Sequence, residues 1–104
     1  MPYAKRREAL EKAVNLYAAR GWTGGANMST EADDVRALFE LAAEKKLPIT
    51  VDVFMTPEDS AEVLRRGPYS DPTGMVRVRG VKLYMDGALG SRGALLLAPY
   101  SDQP

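Results

Sequence analysis

The chain contains no cysteine and no histidine. Without cysteine there are no disulfides and no thiolate metal sites, which suits a reducing compartment and predicts a cytoplasmic protein. Without histidine the chain lacks the side chain most used for proton transfer near neutral pH and a very common metal ligand. An excess of either charge is also absent. Fourteen basic residues balance fourteen acidic ones, so there is no electrostatic footprint for nucleic acid or an anionic membrane, and neither is expected as a partner. No apolar run approaches the roughly 20 residues of a membrane span. The basic N-terminus, Met1 to Glu8, has no apolar core after it and does not read as a signal peptide. The chain reads as soluble.

What remains is globular in character: 104 residues, 45% hydrophobic and 27% charged, enough for one small domain or part of a larger one. Tyr3, Leu10, Val14 and Tyr17 recur at helical spacing. Ala13 and Leu16 widen the stripe, and Gly21 is placed to end a helix over 3–20. Residues 22–28 read as a strand weakened by Gly24 and Gly25. Thr30 with Asp33 resembles a capping box opening a second helix, with Val35, Leu38, Phe39 and Ala42 on one side and Lys45 and Lys46 at its end. After Pro48, Ile49–Met55 is the clearest strand. Thr56-Pro57 opens a short helix running to Arg66, and Gly67 closes it. Pro68 to Gly74 reads as a loop, and Val76 to Met85 as a strand interrupted at Gly80.

Helices alternating with strands predict parallel strands joined by crossovers, in a doubly wound sheet or a barrel. Three such strands and three helices cannot cover both sheet faces and both edges. The pattern therefore predicts a slice of something larger, residues 1–104 forming a single segment of it.

The chemistry-bearing stretch is 80–93, Gly-Val-Lys-Leu-Tyr-Met-Asp-Gly-Ala-Leu-Gly-Ser-Arg-Gly. Strand alternation there puts Val81, Leu83 and Met85 on one face and Lys82, Tyr84 and Asp86 on the other. A lysine held in a desolvated place has a lowered pKa and becomes a nucleophile or a carbon dioxide acceptor; on an edge strand it simply extends to solvent. Asp86, at the end of the strand, is the candidate catalytic carboxylate. The loop from Gly87 to Gly93 either cradles an anion with backbone N–H groups or turns the chain across the sheet. Gly87, Ser91 and Arg92 are its candidate substrate contacts. Arg92 either clamps a carboxylate or pairs with a surface acid. Asp52 is an interior acid or a hydrogen-bonded lining group, and Asn27 orients a loop or caps a turn. Trp22 and Phe54 read as packing, Thr56 as a cap.

The run from Arg79 to Ala94, continuing through Ala98-Pro-Tyr-Ser-Asp102, resembles the fourth-strand segment of the amidohydrolase superfamily. It is closest to amidohydrolase family 3, which includes N-substituted formamide deformylase-like enzymes. The helix ending Ala-Arg-Gly-Trp-Thr is similar to the segment before the second barrel strand of that family, and Leu47-Pro-Ile-Thr-Val51 to its third. The resemblance implies part of a (β/α)8 TIM-barrel, in a protein whose divalent metal, zinc foremost, activates water to hydrolyse C–N bonds of amide-like, non-peptide small molecules. It also implies a role for Lys82 as the metal-site lysine that such enzymes carboxylate, a change that turns a cation into an anionic oxygen ligand. The family's histidines and late aspartate match nothing in these residues. The resemblance therefore implies a fragment that by itself binds metal weakly, holds no cofactor and is inactive. Two other readings stand beside it: a self-standing α/β module binding an anion at Gly87–Gly93, and a unit that self-associates through exposed sheet edges. A homo-oligomer is expected.

Overall fold

A computed structural model describes residues 1–103. Eight segments follow one another: α1 (Tyr3–Ala19), β1 (Gly24–Thr30), α2 (Ala32–Ala43), β2 (Thr50–Met55), a 3-10 turn (Pro57–Asp59), α3 (Ala61–Arg66), β3 (Tyr69–Ser70) and β4 (Val76–Val81). The four strands form one sheet in the order β1-β2-β4-β3. β1, β2 and β4 run parallel, as the alternation predicts. The two-residue β3 is antiparallel to β4, a strand where the sequence reads as loop. The cause is a tight turn. Asp71 accepts hydrogen bonds from the Thr73 amide (3.0 Å) and the Val76 amide (2.9 Å), folding Tyr69 and Ser70 back along β4.

Only one face of this sheet is covered. Val51, Val53 and Met55 of β2 and Val76 and Val78 of β4 pack with Val14, Val35, Leu38, Leu41, Ala42 and Val63 from the three helices. The intervening Thr50, Asp52 and Phe54 lie on the other face and stay half-buried. A doubly wound sheet has helices on both faces; one covered and one open face is the arrangement of a barrel wall. The architecture is thus mixed α/β with a mainly parallel sheet, consistent with part of a TIM barrel. Among the described residues no helix is long and apolar enough to cross a membrane.

Several local expectations differ in detail. α1 ends as Gly21 predicts: its φ of +88° lets the Trp22 amide reach back to the Tyr17 carbonyl at 3.1 Å. The capping box of α2 is Glu31 with Asp34 rather than Thr30 with Asp33. Thr30 is instead the last residue of β1 and fully buried, its hydroxyl donating to the Asn27 carbonyl at 3.0 Å and accepting from the Asn27 side chain at 2.9 Å. α2 stops at Ala43, before Lys45 and Lys46. Thr56 caps nothing with its side chain. Trp22, read as packing, is 60% exposed. It rims an apolar cleft of about 300 Å³ between α1 and β1, with Leu10, Val14 and Tyr17.

The largest difference concerns the last strand. β4 ends at Val81, so only Val81 of the expected apolar set packs on the core. Leu83 and Met85 are exposed, as are Leu89 and Leu95 to Leu97. Residues beyond Val81 leave the sheet as an arm.

Candidate active site

The C-terminal ends of parallel strands are where open backbone groups and loops gather, and here the ends of β1, β2 and β4 lie side by side. A register slip at Gly80 shapes the last of them. Val53 pairs with Val78 but Phe54 with Gly80, so Arg79 is the extra residue. A side chain at Gly80 would lie 3.7 Å from the Phe54 ring, which places Gly80 on the open face. Val81 then turns to the core, and alternation brings Lys82 to the open face. Its amide donates to the Met55 carbonyl at 2.9 Å, so the β2–β4 ladder runs one residue past the strand. Lys82 is half-buried there. Its Nζ stands 5.0 Å from the centre of the Tyr84 ring.

Tyr84 in turn reaches across the end of β2. Its hydroxyl lies 3.1 Å from Ser29 Oγ on β1, although β1 and β4 are not neighbours in the sheet. Ser29 has a φ of +56°, inside a second register slip between Asn27 and Thr30. Sequence reasoning singled out neither the Ser29 hydroxyl nor this bridge. The two hydroxyls are 55 residues apart, so no local pattern joins them.

The other candidates form a separate knot in the arm. Asp86 Oδ2 accepts a hydrogen bond from the Leu95 amide at 3.1 Å. The Gly87 amide donates to the Gly93 carbonyl at 2.8 Å, and any Cβ at Gly87 would overlap the Gly93 backbone. Ser91 Oγ donates to the Ala88 carbonyl at 3.3 Å. Arg92 pairs with Asp102, Nη2 to Oδ2 at 2.7 Å, while its amide donates to the Leu89 carbonyl. The Gly93 amide is bonded to the Ala88 carbonyl. The amides of Gly87, Arg92 and Gly93 are therefore committed within the loop. The structure brings Lys82, Tyr84 and Ser29 together at the strand ends, and Asp86, Gly87, Ser91 and Arg92 together in the arm.

The sequence profile of the amidohydrolase family matches residues 3–104. The chain belongs to that family. Residues of this amidohydrolase chain are 35% identical to YtcJ of Bacillus subtilis (strain 168), a protein named as an amidohydrolase, over 93% of the chain and 19% of YtcJ. A metal-dependent hydrolase from Pyrococcus horikoshii OT3, itself uncharacterized, has a crystal structure that superposes on the whole chain with a TM-score of 0.87 and 33% identity. The chain covers 22% of that protein. It thus spans about a fifth of the length of the relatives it matches.

A metal ion needs several oxygen, nitrogen or thiolate donors converging on one point. Among the described residues no three histidine, cysteine, aspartate or glutamate side chains do so. Lys82 Nζ faces the Tyr84 ring, and the Tyr84 hydroxyl meets Ser29 Oγ. An amine and two hydroxyls do not by themselves fit a metal.

Proposed function

We propose that the chain is one wall of the catalytic barrel of a longer metal-dependent amidohydrolase, which cleaves C–N bonds in small, amide-like, non-peptide substrates. The observation that carries this reading is the coincidence of the family match with the position of Lys82. The one lysine of the stretch 80–93 sits at the C-terminal end of a central parallel strand, on the face without helices. That is where a barrel assembles its site. In the longer protein Lys82, carboxylated, supplies one ligand to a divalent metal, zinc foremost, and the remaining ligands come from strands outside these residues. Asp86 and Arg92 lie in the loop that follows, where substrate contacts of such barrels arise. Within the family we place the chain nearest the N-substituted formamide deformylase-like branch, on the run from Arg79 to Asp102.

The test is a comparison of the longer wild-type protein with Lys82→Ala on a panel of amides, N-formyl compounds and esters, with metal content measured on both. Amide or formamide hydrolysis that falls by several orders of magnitude in Lys82→Ala, together with lost metal, is expected. A Lys82→Ala protein with full metal and full activity would overturn the reading. The 104-residue chain alone is expected to be inactive, and near-stoichiometric zinc in it would count against that.

A second copy of the chain covers the arm when the rest of the barrel is absent. Leu83, Tyr84, Met85, Leu89, Leu95, Leu96 and Leu97 are each between 46% and 111% exposed. The arm's charges at Asp86, Arg92 and Asp102 are engaged with each other or with backbone. Side chains of this size, burying on the order of 100 Å² each, approach the ~800 Å² per partner of a standard interface. Sedimentation should show a concentration-dependent dimer that Leu95→Lys with Leu97→Lys dissociates; a wild-type monomer throughout the micromolar range would refute it.

A further inference from the structure

We propose that the peptide bond between Asp86 and Gly87 is a covalent isomerisation site that the knot in the arm holds closed. This is the one Asp-Gly pair in the sequence, and both residues are exposed. The inference is independent of any role for Lys82. An aspartate followed by glycine is set up to cyclise. The next amide nitrogen lies within reach of the side-chain carboxyl carbon, and glycine has no Cβ to hinder the approach.

The step needs only this chain and solvent water. The Gly87 nitrogen gives up its proton and attacks Asp86 Cγ. An N–Cγ bond forms, a Cγ–O bond breaks, and the oxygen leaves as water with the carboxyl and amide protons. The product is a five-membered succinimide. Water then adds to one of the two ring carbonyls and breaks that carbon's bond to nitrogen. Addition at Cγ restores aspartate. Addition at the main-chain carbonyl leaves isoaspartate, whose backbone runs through Cγ and is one methylene longer.

The structure opposes the first bond at both of its ends. The Gly87 amide donates to the Gly93 carbonyl at 2.8 Å, which retains its proton and fixes the plane of its peptide. Asp86 Oδ2 accepts from the Leu95 amide at 3.1 Å, which ties the carboxylate to a segment nine residues further on. The Gly93 amide returns to the Ala88 carbonyl at 3.0 Å, so the crossing is bonded twice. Two contacts hold it from outside: Arg92 Nη2 on Asp102 Oδ2 at 2.7 Å, and the Ala94 amide on the Tyr100 hydroxyl at 3.0 Å.

Any Cβ at Gly87 would overlap the Gly93 backbone. The crossing thus demands glycine where glycine most favours cyclisation, and the same crossing engages the nitrogen that would react. Sequence and exposure alone mark residues 86 and 87 as labile. The hydrogen bonds reverse that, and cyclisation proceeds only from an opened arm.

The test compares three samples in one neutral buffer: the 104-residue chain, its Arg92→Gln/Tyr100→Phe variant, and a synthetic peptide of residues 82–90. The peptide holds Asp86 and Gly87 without Gly93 or Leu95. Electron-transfer fragmentation identifies isoaspartate, and the succinimide is one water lighter. The wild-type chain should form isoaspartate at residue 86 about tenfold or more slowly than the peptide, a factor equivalent to about 1.4 kcal/mol of opening. The double variant leaves 86 and 87 untouched and should react several-fold faster than wild type. Far-UV circular dichroism checks its fold, and Tyr100→Phe alone should shift the rate in the same direction if the double variant does not fold. A wild-type chain that isomerises as fast as the peptide would overturn the proposal. So would loosened variants no faster than wild type, because the protection would then lie outside the knot. Protection that disappears on dilution would assign it to a second copy over the arm and would equally overturn it. Hydrolysis plays no part in the measurement, so a longer protein that cleaves no amide would sink the function proposed above and leave this result standing.

Discussion

Asp52 and Arg77 face each other across β2 and β4 in direct register, with Arg77 Nε 2.7 Å from Oδ1 and Nη2 3.2 Å from Oδ2. Arg79 Nη1 adds a weaker contact at 3.9 Å. The pair lies on the open face, its side chains 28% and 44% exposed. Ion pairs in contact with water contribute about 1 kcal/mol or less, whereas removing one partner of an enclosed pair costs about 3–5 kcal/mol. Asp52→Ala should therefore destabilise the 104-residue chain by under about 1 kcal/mol and the proposed longer protein by at least about 3 kcal/mol. Urea denaturation of both reads the difference. Equal small costs would mean that the open face is wet in both proteins and does not line a barrel.

The two glycines of β1 should respond in opposite ways. A Cβ at Gly24 would sit 2.5 Å from Thr50 Oγ1, on the strand pair that begins the sheet. At Gly25 nothing lies within 4 Å. Gly24→Ala should cost about 1–3 kcal/mol as an overpacked contact. Gly25→Ala should be neutral or stabilise by up to about 1 kcal/mol, because alanine loses less backbone entropy on folding. Thermal melts of the two variants side by side decide it, and a tolerated Gly24→Ala would show that Thr50 can swing aside.

These two glycines also show how far sequence alone reaches. Their presence in a strand signals a close approach somewhere, but only the pairing of Gly24 with Thr50 reveals which one is crowded. Hydrophobic periodicity placed α1, α2 and β2 to within about three residues, because Val35, Leu38, Val51 and Val53 all point to a single core. β3 was not legible. It exists because the Asp71 carboxylate gathers amides from two residues further on and five residues further on, which no hydrophobic pattern records. Alternation in the sequence runs on to Asp86, five residues beyond the end of β4 at Val81, because Leu83 and Met85 look like core positions. The arm begins there because β4 has no strand partner left to pair with once β2 ends at Met55. The run from Lys82 to Arg92 was legible as a cluster of chemistry-bearing residues beside a glycine-rich loop. Its division into a strand-end group and a loop knot was not, because Ser29 and Asp102 enter from elsewhere in the chain.

Arg92 offers a test that separates structure from substrate binding. Its partner Asp102 is 60% exposed and Arg92 itself 46%, so the pair contributes about 1 kcal/mol at most. Asp102→Asn frees the guanidinium without removing it, whereas Arg92→Gln removes it. If Arg92 binds a substrate carboxylate in the proposed longer protein, Arg92→Gln should raise KM about tenfold or more for carboxylate substrates, the loss of one charge-assisted contact. Asp102→Asn should leave KM unchanged or lower it. Equal effects of the two variants would assign Arg92 to holding the arm and nothing else.

Asp71 should set the acid limit of the fold. It is only 3% exposed, and burial alone would raise its pKa. Hydrogen bonds from the Thr73 hydroxyl and from the amides of Val76, Thr73 and Met75 outweigh that and hold it below the ordinary carboxylate value. A carboxyl whose pKa is depressed by folding adds stability above its unfolded pKa of about 3.9, and that stability is lost as pH falls through the folded value. The wild-type chain should therefore lose stability progressively below about pH 4. Asp71→Asn keeps the shape but offers one acceptor where the carboxylate offers two. It should cost about 1–3 kcal/mol at pH 7 and should flatten the decline below pH 4. Urea midpoints between pH 2.5 and pH 7 supply the comparison. Parallel curves for the two proteins, separated by a constant amount, would show that some other carboxylate governs acid unfolding, with Glu40 the next in line because the Tyr3 hydroxyl donates to it at 2.7 Å and lowers its pKa.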